Sequence, residues 1–268
     1  MVEDIREFVK NKKIIFVGNS VEIMEHQKGD FIDSYDIVVR FGRAIKANAL
    51  QEKSIGTKCD IWVTGQFRAP SFNSLKKEFK TGKFKNTKIL VNRCRGNLKL
   101  KDWILEDRLP KDFPEYTQMY SDEELIRIWK EFGKDILDTS TERPSAGFIT
   151  LIWFIDKIKT YKSIDLIGFD FFNKQLNANS ISKKKVASNC RPHSWHLPVY
   201  VWDKSAHDSE LEMNYVSFLQ RRGLVKWHLL SNLKKENIKY TGWMKGETIV
   251  VTAPKFNPKS TIVPRSQQ

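Results

Sequence analysis

Three short stretches of this 268-residue chain carry residue types and spacings that can do chemistry. The first is Gly18-Asn19-Ser20. There a glycine lets the backbone approach a phosphate, while Asn and Ser offer side-chain hydrogen bonds; an ordinary short turn reads the same way. The second is Arg143-Pro144-Ser145-Ala146-Gly147, just before an apolar run. Pro in a first helical turn and small residues with free N–H groups make an anion-friendly helix start, or simply a helix capped by Ser145. The third is His207 with Asp208, Glu210 and Glu212. A His at a helix N-terminus is held neutral and able to accept a proton. His193 and His196 stand near enough in sequence to leave a zinc site open, and the same acids suit an N-cap.

The elements around these stretches alternate strand and helix. Val2, Ile5, Phe8 and Val9 share one helical face in residues 2–11. Apolar runs predict strands at Ile14–Val17, Asp36–Phe41, Asp60–Val63, Ile89–Asn92 and Ile164–Phe169. Ser121 with Glu124 three residues on predicts a capping box for a helix ending at Gly133. Phe148–Ile158 reads as a core helix, and residues 208–222 as an amphipathic helix turning Leu211, Tyr215, Phe218 and Leu219 inward and stopping at Gly223. This alternation implies an α/β fold: one Rossmann-like domain with a mostly parallel sheet flanked by helices. Ligands of such sheets bind beyond the strands' carboxyl ends, where the loops with Gly18, Ser145 and Asp170 belong.

The formal net charge of +14 predicts attraction to polyanions. The charge is uneven. From Ser74 to Lys101, ten Lys and Arg stand against the single Glu78, and from Leu224 to the end eight stand against two acids. Phe79, Phe84, Trp227, Tyr240 and Trp243 lie among them, a mixture suited to nucleic-acid backbones and bases, or to a plain solvated surface. No segment has the apolar length of a membrane span, and residues 1–13 lack the apolar run of a secretory signal, so a cytoplasmic location is expected. Cys59, Cys94 and Cys190 fit neither a disulfide framework nor a CxxC site, and reduced thiols are expected.

Taken together and in order, these motifs resemble those of glycosyltransferase family 29, the sialyltransferases. Val17–Ser20 (VGNS), Gly29, Ile32–Phe41 (IDSYDIVVRF) and Ile55–Trp62 (IGTKCDIW) resemble the family's long motif. Pro144–Gly147 through Ile167-Gly168-Phe169 resembles the short one, and His207 with Glu212 five residues on matches the last. The resemblance covers most of residues 14–223 and implies a sialyltransferase-like variant of the GT-A-type fold. It implies a catalytic domain over residues 1–223, leaving 224–268 as a basic extension.

What the resemblance implies for chemistry is an inverting, metal-independent sugar transfer from a nucleotide-sugar donor, with no other cofactor. His207 is then the general base. Gly18, Asn19, Ser20, Arg40, Arg43, Ser145, Gly147, Asp170, Tyr200 and His196 would surround the donor, and Glu212 would fix the helix behind the base. The chain departs from the family pattern in three places. Gly42-Arg43 follows Phe41 where the family has Asn, Tyr200 replaces a His ahead of Val201-Trp202-Asp203, and the family's two bridging cysteines fall at Ile14 or Ile15 and at Tyr161. These departures shift expectation away from secretory glycoprotein sialylation. The favoured acceptor is DNA bearing hydroxymethylated bases, as in phage genome modification, with the basic Ser74–Lys101 and C-terminal segments as its surface. A bacterial surface glycan, or a nucleic-acid-binding protein without catalysis, are the alternatives.

Overall fold

The computed structural model describes residues 2–20, 23, 26–42, 49–64, 76–80, 82–92, 115–133, 144–169 and 208–229. In chain order the described elements are α1 (Val2–Phe8), β1 (Lys13–Val17), α2 (Gly29–Asp33), β2 (Ile37–Phe41), α3 (Ala49–Ile55), β3 (Ile61–Thr64), α4 (Lys76–Lys80), β4 (Lys88–Val91) and β5 (Tyr116–Gln118), followed by α5 (Asp122–Glu131), α6 (Ala146–Trp153), β6 (Ser163–Ile167), α7 (Ser209–Arg221) and β7 (Lys226–His228). The strands form one seven-stranded sheet in the order β5-β4-β3-β2-β1-β6-β7. Every pairing is parallel. The sheet is therefore an α/β sheet of the expected class, wholly rather than mostly parallel among the described strands.

Alternation within each strand explains why helices cover both faces. Ile14 and Phe16 of β1, Val39 and Phe41 of β2, and Ile164 and Leu166 of β6 enter the core shared with α1, α5, α6 and α7. Their neighbours Ile15, Val17, Val38 and Ile167 face Ile23, Ile32 and Ile55 on the other side. The march from β1 to β5 runs one way across the sheet, and β6 and β7 then add on the far side of β1. Right-handed crossovers put helices on opposite faces when the direction reverses. This makes the gap between the ends of β1 and β6 the topological switch point, where open parallel sheets bind ligands.

α6 is buried along its length from Phe148 to Trp153, as its uninterrupted apolar sequence demands. Around it Phe148 meets Trp129, Phe132 and Tyr215 edge-on at centroid distances of 5.6–6.3 Å. The expected helix Phe148–Ile158 begins earlier, at Ala146, and widens into a π turn over Phe154–Ile158. Lys159 closes that turn in the left-handed region, its N–H donating to the Phe154 carbonyl. The Ser121–Glu124 capping box forms as read, with both reciprocal bonds present. One boundary moves. β7 lies beyond residue 223 yet pairs with β6, so the sheet continues to His228; a three-residue strand of sequence Lys-Trp-His has no apolar run to announce it.

Candidate active site

The register of the strands brings three chain ends together. Val17 pairs with Arg40 on one side and with Ile167 on the other. Gly18, Gly42 and Gly168 therefore leave the sheet at one edge. The Gly18 N–H donates to the Ile167 carbonyl at 2.8 Å and the Ser20 N–H to the Gly168 carbonyl at 3.0 Å, stitching the two loops across the switch point. Gly168 sits at φ +69°, a left-handed conformation that favours glycine.

These bonds give Gly18 a role in the fold. Its N–H is engaged, and a Cβ there would overlap the Gly168 carbonyl and the Phe169 ring. Gly18 is needed there for backbone-to-backbone packing. Gly147 is similar, its Cα facing the Phe169 ring from the opposite direction. Phe169 thus lies between two glycines, edge-on to Phe41 at 5.8 Å, with its carbonyl accepting from Trp227 Nε1 at 3.2 Å. No role was read for it from sequence; the only signal was an aromatic directly after a strand-ending Gly. Gly18→Ala is expected to cost about 1–3 kcal/mol in urea unfolding, because the obstructing atom is backbone and cannot rotate away.

Asn19 spans the ends of β1 and β2. Its Nδ2 donates to the Phe41 carbonyl at 3.4 Å, while its Oδ1 is buried with no partner among the described residues. A buried acceptor of this kind costs free energy until a donor reaches it. Ser20 is buried at the same edge. Gly42 has φ +57°, and a Cβ built on it meets nothing within 4 Å. Its carbonyl accepts from Trp62 Nε1 at 2.6 Å.

Arg40 lies within β2. It is 1% exposed, donating through Nε to the Lys58 carbonyl at 2.7 Å and through Nη2 to the Ile55 carbonyl at 2.6 Å. These two bonds hold the α3–β3 connection from within, while Nη1 is buried with no partner among the described residues.

Ser145 and Glu212, 67 residues apart in sequence, meet in the interior. The Ser145 N–H donates to one Glu212 carboxylate oxygen at 2.5 Å and its hydroxyl to the other at 2.6 Å. Ser145 Oγ also accepts from the Phe148 N–H, capping α6. Both Ser145 donors are thereby engaged by Glu212. The first-turn N–H groups of Ala146 and Gly147 have no intrahelical carbonyl to reach, and both residues are half-buried. Burial pushes the Glu212 carboxyl up to about 8, against the lowering effect of the two Ser145 bonds and with a further push from Asp208. Asp208 caps α7 by accepting from the Leu211 N–H. His207 is the next residue upstream of that cap in the chain. It lies outside the described residues, as do Arg43, Asp170, His193, His196 and Tyr200.

A separate cluster went unread in the sequence. Asp165 Oδ2 accepts from the Tyr35 hydroxyl at 2.7 Å and lies 2.6 Å from His228 Nε2, pinning β7 to the sheet. Burial raises this carboxyl, but the His228 and Tyr35 bonds outweigh it and hold Asp165 below its ordinary value. A charge inside the apolar strand Ile164–Ile167 was the available signal. Cys59 is a free thiol that burial pushes up to about 12. Among the described residues no three His, Cys, Asp or Glu side chains group closely enough to hold a metal ion. None of the described helices is long and apolar enough to cross a membrane.

No protein-family model matches the chain, and no curated protein sequence is significantly similar to it. Among solved structures, a mammalian sialyltransferase in complex with Gal-β-1-3GalNAc-ortho-nitrophenol aligns with a TM-score of 0.47 at 16% identity, over 83% of this chain and 71% of that one. A second mammalian sialyltransferase structure aligns at 0.46 and 17%, over 85% and 79%. Likeness at this distance says nothing of activity or substrate.

Proposed function

We propose that the chain is an inverting glycosyltransferase that moves a sugar from a nucleotide donor to an acceptor hydroxyl, with His207 as general base. The observation that carries this reading is the buried Ser145–Glu212 pair. It fastens the helix that begins just after His207 to the helix start at Ser145, beside the switch point where an α/β sheet takes its ligands. The reading rests equally on the joint presence of the three motifs in one chain.

In the proposed step the His207 imidazole takes the acceptor hydroxyl's proton as that oxygen attacks the anomeric carbon. The bond from that carbon to the donor phosphate breaks on the opposite face, and its electron pair leaves with the nucleotide. Negative charge then grows on the departing phosphate. The Ala146 and Gly147 N–H groups at the positive end of α6 are the described groups best suited to meet it. Arg43, Tyr200 and His196 are proposed as further donors, with Asp170 near the sugar. Asn19 Oδ1, buried without a partner among the described residues, would accept from a donor hydroxyl. In this reading protein groups replace a metal at the leaving phosphate.

For the acceptor we favour hydroxymethylated DNA, supported by the net charge of +14. The test is transfer from cytidine, uridine and guanosine sugar nucleotides, read by mass spectrometry, onto duplex containing hydroxymethylcytosine and onto a lipid-linked glycan. One donor is expected to raise the melting temperature and to add one sugar mass to the duplex. Transfer to the glycan alone would replace the acceptor. No transfer from any of the donors would overturn the enzymatic reading.

A further inference from the structure

An all-parallel sheet collects the amino ends of its strands along one edge, here the edge opposite the candidate site. Lys13 is the first residue of β1, Lys88 of β4 and Lys226 of β7, and Lys162 immediately precedes β6. All four are exposed, as are Lys83 and Lys85 in the turn leading to β4. The ammonium groups of Lys12 and Lys88 converge on one ring, 4.9 and 5.7 Å from the Phe8 centroid, although β1 and β4 are three strands apart.

Asp36 and Asp60, just before β2 and β3, are engaged locally, while Glu115, just before β5, is exposed beyond the lysines at the β5 end of the edge. Asp36 accepts from the Lys13 N–H at 2.8 Å, and Asp60 accepts from the Val38 N–H at 2.7 Å and lies 3.6 Å from Lys58. Glu7 pairs with Lys10 at 3.1 Å.

A parallel α/β fold also turns its helix carboxyl ends toward this edge, and the helix dipole favours cations there. That accounts for Lys10, Arg221 and Arg222. It does not account for lysines at strand starts, because strands carry little net dipole. From β4 to β7 the lysines spread over about 24 Å across the sheet at ordinary strand spacing, the length of roughly seven base pairs of duplex, in a staggered line because Lys226 pairs level with Asp165, two residues into β6. Among the described residues the exposed large apolar side chain is Phe31 of α2, whose ring packs on Tyr35 and His228. The edge therefore offers cations without the apolar side chains that membrane-surface insertion uses.

We infer that the amino edge of the sheet is a binding surface for the phosphodiester backbone of duplex nucleic acid, lined by Lys13, Lys88, Lys162 and Lys226. Strands of five residues separate it from the carboxyl edge by about 17 Å. A duplex held there is therefore a tether, distinct from the acceptor that His207 would serve. The inference stands whether or not the acceptor hydroxyl is on DNA, and its test uses unmodified duplex with no sugar donor.

The experiment compares the full chain with the quadruple variant Lys13→Gln, Lys88→Gln, Lys162→Gln, Lys226→Gln. Fluorescence anisotropy with a 30-base-pair duplex (an order-of-magnitude choice of about three helical turns) is read across a salt series. A charge-matched control carries Lys28→Gln before α2, Lys46→Gln before α3, Lys77→Gln at the second residue of α4 and Arg127→Gln within α5, away from the helix carboxyl ends. The edge variant is expected to lose about 3 to 4 units of salt slope and about tenfold or more in affinity at low salt, with the control losing much less. Equal losses in both variants would assign binding to net charge and overturn the proposal. Unchanged binding by the edge variant would overturn it in favour of another surface. Binding to phosphatidylserine vesicles without binding to duplex would overturn it in favour of lipid. Should the edge variant fail to fold, acetylation footprinting of the unaltered chain decides instead. Duplex is expected to protect the four edge lysines, and their full labelling in the complex would overturn the proposal.

Discussion

His207→Ala is expected to lower sugar transfer by about 100- to 10,000-fold while leaving the donor-induced rise in melting temperature in place. The size follows from what remains. The variant keeps the donor loops, the first turn of α6 and the Ser145–Glu212 pair, so binding and leaving-group stabilisation persist and only proton removal from the acceptor is lost. Such a loss corresponds to about 3–5 kcal/mol of transition-state stabilisation. The pH profile gives a second readout. The unaltered chain should gain activity as an imidazole deprotonates, and the variant should lose that limb. A protein that only binds nucleic acid would show no transfer in either form, and its duplex affinity would be unaltered by the substitution. A loss smaller than about tenfold, with the pH limb intact, would remove His207 from the role of base.

The sequence made the inner strands legible because a strand buried on both faces must be a continuous apolar run. Ile14–Val17 and Ile89–Val91 are such runs, and Ile164–Ile167 is one but for Asp165. α5 was legible from its cap alone, since Ser121 and Glu124 satisfy one another locally. Short elements of mixed polarity were not. α2 begins at a glycine with no side-chain cap, α4 alternates lysines with Phe79, and β5 and β7 are three residues each. Their conformations come from packing on the sheet, which composition does not record.

The site divides the same way. Gly18, Ser145 and Glu212 stood out as residue types, yet what each one touches is tertiary information. Ser145 looked like a donor to phosphate because the acid that accepts from both its donors comes from 67 residues away. Gly18 looked like a phosphate turn because the Gly168 carbonyl beside it belongs to a strand that joins the sheet last but one in sequence. Arg40 did carry a signal. A cation inside Ile37–Phe41 is flanked by apolar residues that must be buried, and nearby carbonyls accept from two of its nitrogens.

The second large effect concerns Glu212, and it has a sign that pH reveals. The side chain is fully buried, and its carboxyl is raised to about 8 from an ordinary 4.5. Between those values the folded chain holds a proton that the unfolded chain has released. Stability from this group is therefore complete below about pH 4.5 and declines as pH rises toward 8, by on the order of 1 kcal/mol per pH unit. Glu212→Gln keeps the shape and one acceptor but cannot ionise. Relative to the unaltered chain it should gain several kcal/mol of stability between pH 5 and 8.5, overtaking it within that range. Glu212→Ala removes the acceptor from both Ser145 donors and opens a cavity, so at pH 5 it should cost about 2–5 kcal/mol. That cost should shrink as the pH rises, because the unaltered chain then loses the stability it is compared against. Urea unfolding at half-unit steps of pH, roughly the resolution needed for a titration this wide, measures both differences. If they are flat across the range, Glu212 is ionised in the fold, and the Ser145 bonds outweigh burial. If they slope as stated, the bond between the two helix starts is made by a carboxylic acid, and raising the pH above 8 loosens the link between α6 and α7.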